Sequence, residues 1–374
     1  MRRLTVLMSL AAAVAALAVS RRPQHATDDV RLRFAASADD GFARALEPRP
    51  FVLPEDHGPH FDYQTEWWYF TGNLEDERGG RFGFQLTFFR RGLSPGPPPP
   101  GPGLATNQIY FAHFAVTDVA GGRHVAEERF ARGAGGLAGA EPLRVWLEGW
   151  EVSGLAPDGS ALRLSAGSRE ASLELELEAL RPLVAHGDRG LSPKSEQPGN
   201  ASYYVSYTRL AARGDVTTRG ERRAVRGEAW FDHEWSTSAL GPGAQGWDWF
   251  SLQLEDGREL MLFQIRREDG SLEPVSGGTL VEPDGATRRL TRDDAALEVL
   301  EHWTSPGSGA RYPAAWRLRV PSAGLDLEIR PVLADQEMRT SFVYWEGAVD
   351  LLGSPGGRGY VELTGYARSM QGVF

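Results

Sequence analysis

The sequence predicts an all-β protein built from two antiparallel units related by internal duplication. Three observations carry this. Residues 66–74 and 82–90 are aromatic, β-branched-rich runs around a charged loop that ends in two glycines, the pattern of a β-hairpin. The first arm recurs at 247–257, where Trp67 falls on Trp247, Tyr69 on Trp249, Phe70 on Phe250, Leu74 on Leu254 and Glu75-Asp76 on Glu255-Asp256. Phe263-Gln264-Ile265 also echoes Phe84-Gln85-Leu86. Finally, the rest of the chain offers many short alternating runs and no long amphipathic helix, which suits antiparallel barrels or sandwiches.

A chain of 374 residues is long enough for two domains. The 41% hydrophobic and 24% charged content is that of an ordinary globular protein. A formal net charge of −10 argues against nucleic acid and against anionic membrane surfaces as partners. The absence of cysteine excludes disulfides, thiolate catalysis and cysteine-ligated metals. Eleven Trp and seventeen Phe are many, and their first use in a β protein is to fill cores.

In chain order, residues 1–20 have a basic start and an apolar run, as a secretory signal peptide does, and a retained membrane anchor is the alternative. A periplasmic or secreted location follows as the expectation. Residues 21–50 read as a leader with one short helix at 35–46. His57 and His60 lie among Pro and Gly with no third metal ligand nearby in sequence, so a structural role is expected. The Pro/Gly run at 95–103 must be a loop. Strands are expected at 108–116, 144–150, 161–165, 173–178, 203–210 and 226–235. Leu and Glu alternate strictly over 173–178, as in a sheet with one wet face.

Gly241-Pro242-Gly243 marks a boundary, giving domains at 51–240 and 245–374. In the second unit the expected strands are 247–254, 260–266, 277–281, 297–303, 315–320, 325–330, 341–352 and 360–367, and 293–302 fits a helix as well as a strand. About eight strands close a small barrel that holds one apolar ligand.

Several stretches resemble the AttH and carotenoid 1,2-hydratase-like family. They are Thr65-Glu66-Trp67-Trp68-Tyr69-Phe70-Thr71-Gly72, Asp232-His233-Glu234-Trp235, Gly246-Trp247-Asp248-Trp249-Phe250, Tyr344-Trp345-Glu346-Gly347 and Gly359-Tyr360-Val361-Glu362-Leu363-Thr364-Gly365-Tyr366. The resemblance runs from about residue 51 to the C-terminus and implies two lipocalin-like (calycin) antiparallel β-barrels. It also implies an apolar ligand, either an isoprenoid, polyene or lipid. The pigment hydratases add water across an isolated carbon–carbon double bond, while related members are pericyclases. AttH-type members resemble parts of ABC export systems. In the hydratase branch the His and Trp of an Asp-His-x-Trp segment serve the chemistry, which here match His233 and Trp235. A Tyr and an Asp used on a later strand are absent here, where Leu262-Phe263-Gln264-Ile265 stands.

Addition of water to an alkene needs a proton donor, a cavity that tolerates a carbocation and a base for the attacking water. Asp232, His233, Trp235 and Asp248 are the candidate catalytic residues. Glu66, Trp68, Tyr69, Trp247, Trp249, Gln264, Trp345 and Glu346 are the candidate ligand-binding residues. Alternation places His233 with Ala229, Phe231 and Trp235 on one strand face, and Asp232 with Trp230 and Glu234 on the other. No metal, nucleotide or other cofactor is signalled. Gly-x-Ser-x-Gly is absent, which argues against a serine hydrolase. A cofactor-free hydratase and a non-catalytic carrier of a hydrophobic ligand both fit, as does, less well, a structural envelope protein.

Overall fold

The computed structural model describes residues 41–100, 103–238 and 240–373. The expected signal peptide and the leader up to residue 40 lie outside the described residues. The first unit contains β1 (Thr65–Asp76), β2 (Arg81–Gly92), β3 (Gln108–Asp118), β4 (Arg123–Arg132), β5 (Ala138–Glu141), β6 (Arg144–Leu147), β7 (Trp150–Gly154), β8 (Ala161–Gly167), β9 (Ala171–Ala179), β10 (Val184–Ala185), β11 (Leu191–Pro193), β12 (Ala201–Thr218) and β13 (Glu221–Ser236). The second contains β14 (Ala244–Leu254), β15 (Glu259–Arg267), β16 (Gly277–Val281), β17 (Thr287–Thr291), β18 (Ala296–Thr304), β19 (Arg311–Val320), β20 (Leu325–Pro331), β21 (Glu337–Arg339), β22 (Val343–Gly353) and β23 (Gly357–Leu363). Short 3₁₀ turns occur at Glu55–His57 and Pro321–Ala323.

Each unit is one antiparallel sheet curled towards a barrel. The orders are β4-β3-β2-β1-β13-β12-β9-β8-β7-β6-β5 and β17-β16-β15-β14-β23-β22-β20-β19-β18. In both, the opening strand pairs with its hairpin partner on one side and with the last strand of its unit on the other. The repeated circuit is the duplication read from the sequence, and the repeated residues keep their faces. Phe70 and Phe250 point into the two barrel cores, while Tyr69 and Trp249 point outward into a shared aromatic cluster.

The second echo is corrected by the register. Phe84 lies opposite Gly72, whereas Phe263 lies opposite Trp249, the counterpart of Tyr69. The second hairpin turns two residues earlier on each arm, so the similar triplets occupy different places. Gly72 is required where it stands, because a Cβ there would meet Phe84 Cε1 at 2.5 Å and the Glu228 carbonyl at 2.7 Å.

Other differences have local causes. Residues 41–46, the described part of the expected helix, are not helical. The strand expected at 144–150 is two strands, because Glu148 turns the chain with φ of 54°. Residues 293–302, open between helix and strand, mostly belong to strand β18.

Both barrels are filled. Trp68, Phe70, Phe82, Phe84, Phe88, Phe114 and Trp150 pack with leucines inside the first. Phe250, Trp316, Trp345 and many leucines and valines pack inside the second. The outward faces of β1, β12 and β13 meet β14, β15, β22 and β23 across Tyr69, Tyr204, Trp230, Trp249, Met261, Ala348 and Tyr360. Polar fasteners flank this seam. Gln253 Nε2 donates to the carbonyls of Thr208 and Ala229 at 2.8 and 3.0 Å, and Asn73 Nδ2 donates to Gly359 at 3.0 Å.

Candidate functional site between the barrels

A cavity with about 760 Å³ of empty space, its mouth included, opens at this seam. Its wall is largely aromatic, with Trp67, Tyr69, Trp247, Trp249 and Phe263. Ionisable groups enter from both sides: Asp232, Glu234 and Lys194 from the first barrel, and Glu362 from the second. The strand period of two explains the wall. Tyr69 and Asp232 are direct neighbours on β1 and β13 and share the outward face, as Trp249 and Glu362 do on β14 and β23.

Asp232 is 3% exposed and receives three donors. Tyr204 O–H donates to Oδ2 at 2.8 Å, Trp230 Nε1 to Oδ1 at 2.6 Å, and the Ser206 hydroxyl also to Oδ1. Burial outweighs all three and raises its pKa to about 7. Behind it the Ser206 hydroxyl lies 2.7 Å from Nε2 of His186, whose Nδ1 lies 2.9 Å from Thr279 Oγ1. Burial lowers the His186 pKa to about 3, so this imidazole is neutral and positions Ser206. Across the cavity, Glu362 accepts from Trp247 Nε1 at 2.8 Å. Burial, aided by the Asp232 charge, also raises Glu362 to about 7. Glu234 is held by Lys194 Nζ at 2.5 Å.

On the opposite face of β13 a different cluster closes the end of the first barrel. Glu66 Oε1 lies 2.9 Å from His233 Nε2 and 2.7 Å from His60 Nδ1, while Oε2 accepts from Arg90 Nε at 2.8 Å. His60 Nε2 lies 2.9 Å from Asp56, which Arg49 pairs at 2.7 Å. The His60 ring stacks on Trp235 with centroids 3.7 Å apart. Burial opposes charge on both partners, but Arg90 and His60 hold the Glu66 carboxyl well below its ordinary value, and Glu66 with Asp56 raises His60. His60, Glu66 and His233 present ligand atoms within 4.8 Å of one another, a grouping that sequence spacing did not reveal. Arg90 already supplies the positive charge at Glu66, so the donor set suits an ion-pair lock better than a divalent cation.

A family model described as AttH-like matches residues 44–366. The chain belongs to the AttH-like family. An AttH protein from Nitrosomonas europaea, solved as a crystal structure, is 36% identical with a TM-score of 0.79, over 87% of this chain and 100% of that one. Kievitone hydratase from Nectria haematococca shares the fold at 14% identity and a TM-score of 0.65, over 88% of this chain and 97% of that one. CghA, solved alone and with Sch210972, also shares it at 14% identity and a TM-score of 0.51, over 87% and 96% of the two chains. No curated protein matches in sequence.

In this AttH-like chain the four candidate catalytic residues do not converge. Asp232 lines the cavity. His233 and Trp235 lie on the other face of the same strand, inside the first barrel's end, because neighbouring strand residues point oppositely. Asp248 lies at one end of the second barrel, its oxygens taken by Arg266 Nε at 2.9 Å and Tyr366 O–H at 3.0 Å. Of the candidate ligand-binding residues, Tyr69, Trp247 and Trp249 line the cavity. Glu66 belongs to the lock, and Trp68 and Trp345 are core residues whose Nε1 atoms donate to the carbonyls of His57 and Ala334. Gln264 shares the face of Leu262, away from the cavity. Glu346 is buried against the seam, behind the cavity wall. Sequence reasoning missed Glu362, Lys194, Tyr204 and His186. Glu362 lies within the family-like stretch 359–366, and the strand face it shares with Tyr360 was the available signal.

Proposed function

We propose that the inter-barrel cavity binds a linear apolar molecule, an isoprenoid or polyene, and that Asp232 and Glu362 drive addition of water to one of its double bonds. The observation that carries this is a pair of carboxyls, both raised to about 7, facing one aromatic-walled cavity from opposite barrels. Two such acids hold one proton between them near neutrality. The protonated one adds its proton to the less substituted alkene carbon. Trp67, Tyr69 and Trp249 stabilise the resulting cation with their ring faces. Water attacks the cation and gives its spare proton to the other carboxylate, so the acid pair ends with the single proton it began with. The hydratase name borne by a protein of the same fold agrees with this chemistry. A periplasmic or secreted setting, read from residues 1–20, suits a ligand that partitions into membranes.

The test is incubation of purified protein with acyclic isoprenoids in ¹⁸O-water. The expected product is a tertiary alcohol carrying ¹⁸O, with D232N and E362Q each reducing turnover by about 100-fold or more. Unchanged turnover in both variants overturns the assignment. The aromatic wall equally favours a second reading, a carrier that hands its lipid to an ABC exporter. A lipid that co-purifies at one per chain, with no turnover, selects it.

A further inference from the structure

Behind the cavity wall, Glu346 is 1% exposed and both its carboxyl oxygens lack a hydrogen-bond partner among the described residues. A buried carboxyl in that state is costly unless it has a task. The Tyr69 hydroxyl, on the cavity wall, is unpartnered too. Glu362 is the direct ladder neighbour of Glu346 on β23. Tyr344, two residues earlier on the same face of β22, lies 2.7 Å through its hydroxyl from His113 Nδ1. His113 Nε2 lies 2.8 Å from Glu128 Oε1. His113 is fully buried, whereas the Glu128 side chain is 14% exposed. The register explains the line. Tyr69, Thr87, His113 and Glu128 are successive ladder partners across β1, β2, β3 and β4, and β22 lies over that row.

We propose that Glu346 relays protons between the cavity and solvent along Tyr69, Glu346, Tyr344, His113 and Glu128. The proposal rests on the cavity acids exchanging protons, as in the function proposed above. Two links, Tyr344 to His113 and His113 to Glu128, are made in the structure. The two at Glu346 are open, and the Tyr69 and Tyr344 hydroxyls that flank its carboxyl would close them. In the conducting arrangement Tyr69 O–H donates to one oxygen of Glu346, Glu346 O–H to Tyr344, Tyr344 O–H to His113 Nδ1, and His113 Nε2–H to Glu128. Moving one proton at each step carries a charge outward, and nothing is oxidised or reduced. The groups facing Glu346 are Tyr69 from β1, Tyr344 on its own strand, and Glu362 and Tyr360 from β23. Burial, with the Glu362 charge, pushes Glu346 well above the usual carboxyl range, so it enters the relay protonated. Glu346 touches no ligand in this scheme and acts through Tyr69 and Glu362.

The experiment is infrared spectroscopy of the purified protein transferred to D₂O, with no ligand added. At about pH 9, roughly two units above the range in which Asp232 and Glu362 hold a proton, a protonated-carboxyl band is expected in wild type and absent in E346Q. Its deuterium exchange slows about tenfold or more in Tyr344→Phe and in Glu128→Gln, the equivalent of one lost hydrogen-bonded link. If Tyr344→Phe does not fold, Glu128→Gln and His113→Gln decide. A band unchanged in E346Q, or exchange unchanged in the folded link variants, overturns the relay. Because no substrate is used, the relay can fail while the cavity assignment stands, and the hydration assay can fail while the relay stands.

Discussion

Asp232 shows how burial and hydrogen bonding compete at a single residue. Three donors favour its ionised form, yet desolvation prevails and the folded pKa is about 7, against 3.8 for a free carboxyl. Between about pH 4 and 7 the folded protein keeps a proton that the unfolded chain has released, so stability falls as pH rises through that window and levels off above it. Asp232→Asn removes this slope. Urea unfolding at pH 5 and pH 8 should show wild type losing on the order of 2 kcal/mol more than the variant over that interval, with Glu362 sharing part of the change. Equal losses would contradict the raised value. Alternation in the sequence put Asp232 and His233 on opposite faces. Which face met a cavity was not legible, because a strand pattern sorts residues without saying what packs against either side.

At the scale of elements, the opening hairpins were the most legible part, since aromatic alternation and a glycine-ended loop occur together there. Strand β4, Arg-His-Val-Ala-Glu-Glu-Arg-Phe-Ala-Arg, was missed because its core-facing side interrupts Val125 and Ala131 with Glu127 and Arg129, and every residue is half-buried or exposed. Segment 41–63 was also opaque. It has almost no regular structure, and long-range pairs hold it over the end of the first barrel. Tyr203 O–H donates to the Glu47 carbonyl at 2.8 Å, and His60 stacks on Trp235. Glu66 is the centre of that lock, because it neutralises Arg90, whose side chain is fully buried. Glu66→Gln leaves the guanidinium uncompensated, and loss of one partner of a buried pair costs about 3–5 kcal/mol. Chemical denaturation should read that loss, and hydrogen exchange should show 41–63 loosening before the sheets. A variant within 1 kcal/mol of wild type, on the scale of exposed pairs, would show the lock to be ornamental.

At the scale of the whole molecule, duplication gave two filled barrels, and the cavity proposed as the site lies in the space between them. Small barrels of this size have interiors that side chains just fill, and the aromatic-rich inner faces here do so. The chamber expected from sequence is therefore a seam, and its shape depends on both barrels staying docked. The seam buries a continuous aromatic cluster, and Arg209 of the first barrel pairs with the buried Glu259 of the second at 2.6 Å. Parting the barrels would expose those rings and break that pair, so neither barrel is expected to melt alone. Calorimetry should give one transition whose calorimetric and van't Hoff enthalpies agree. Arg209→Ala should lower its midpoint without splitting it, by the amount that about 3 kcal/mol produces, because the buried Glu259 is left with only the more distant Arg181, at 3.7 Å. Two resolved transitions in wild type would mean that the barrels are independent. The cavity would then be a hinge that opens to admit ligand, and access through a fixed mouth would be the wrong picture.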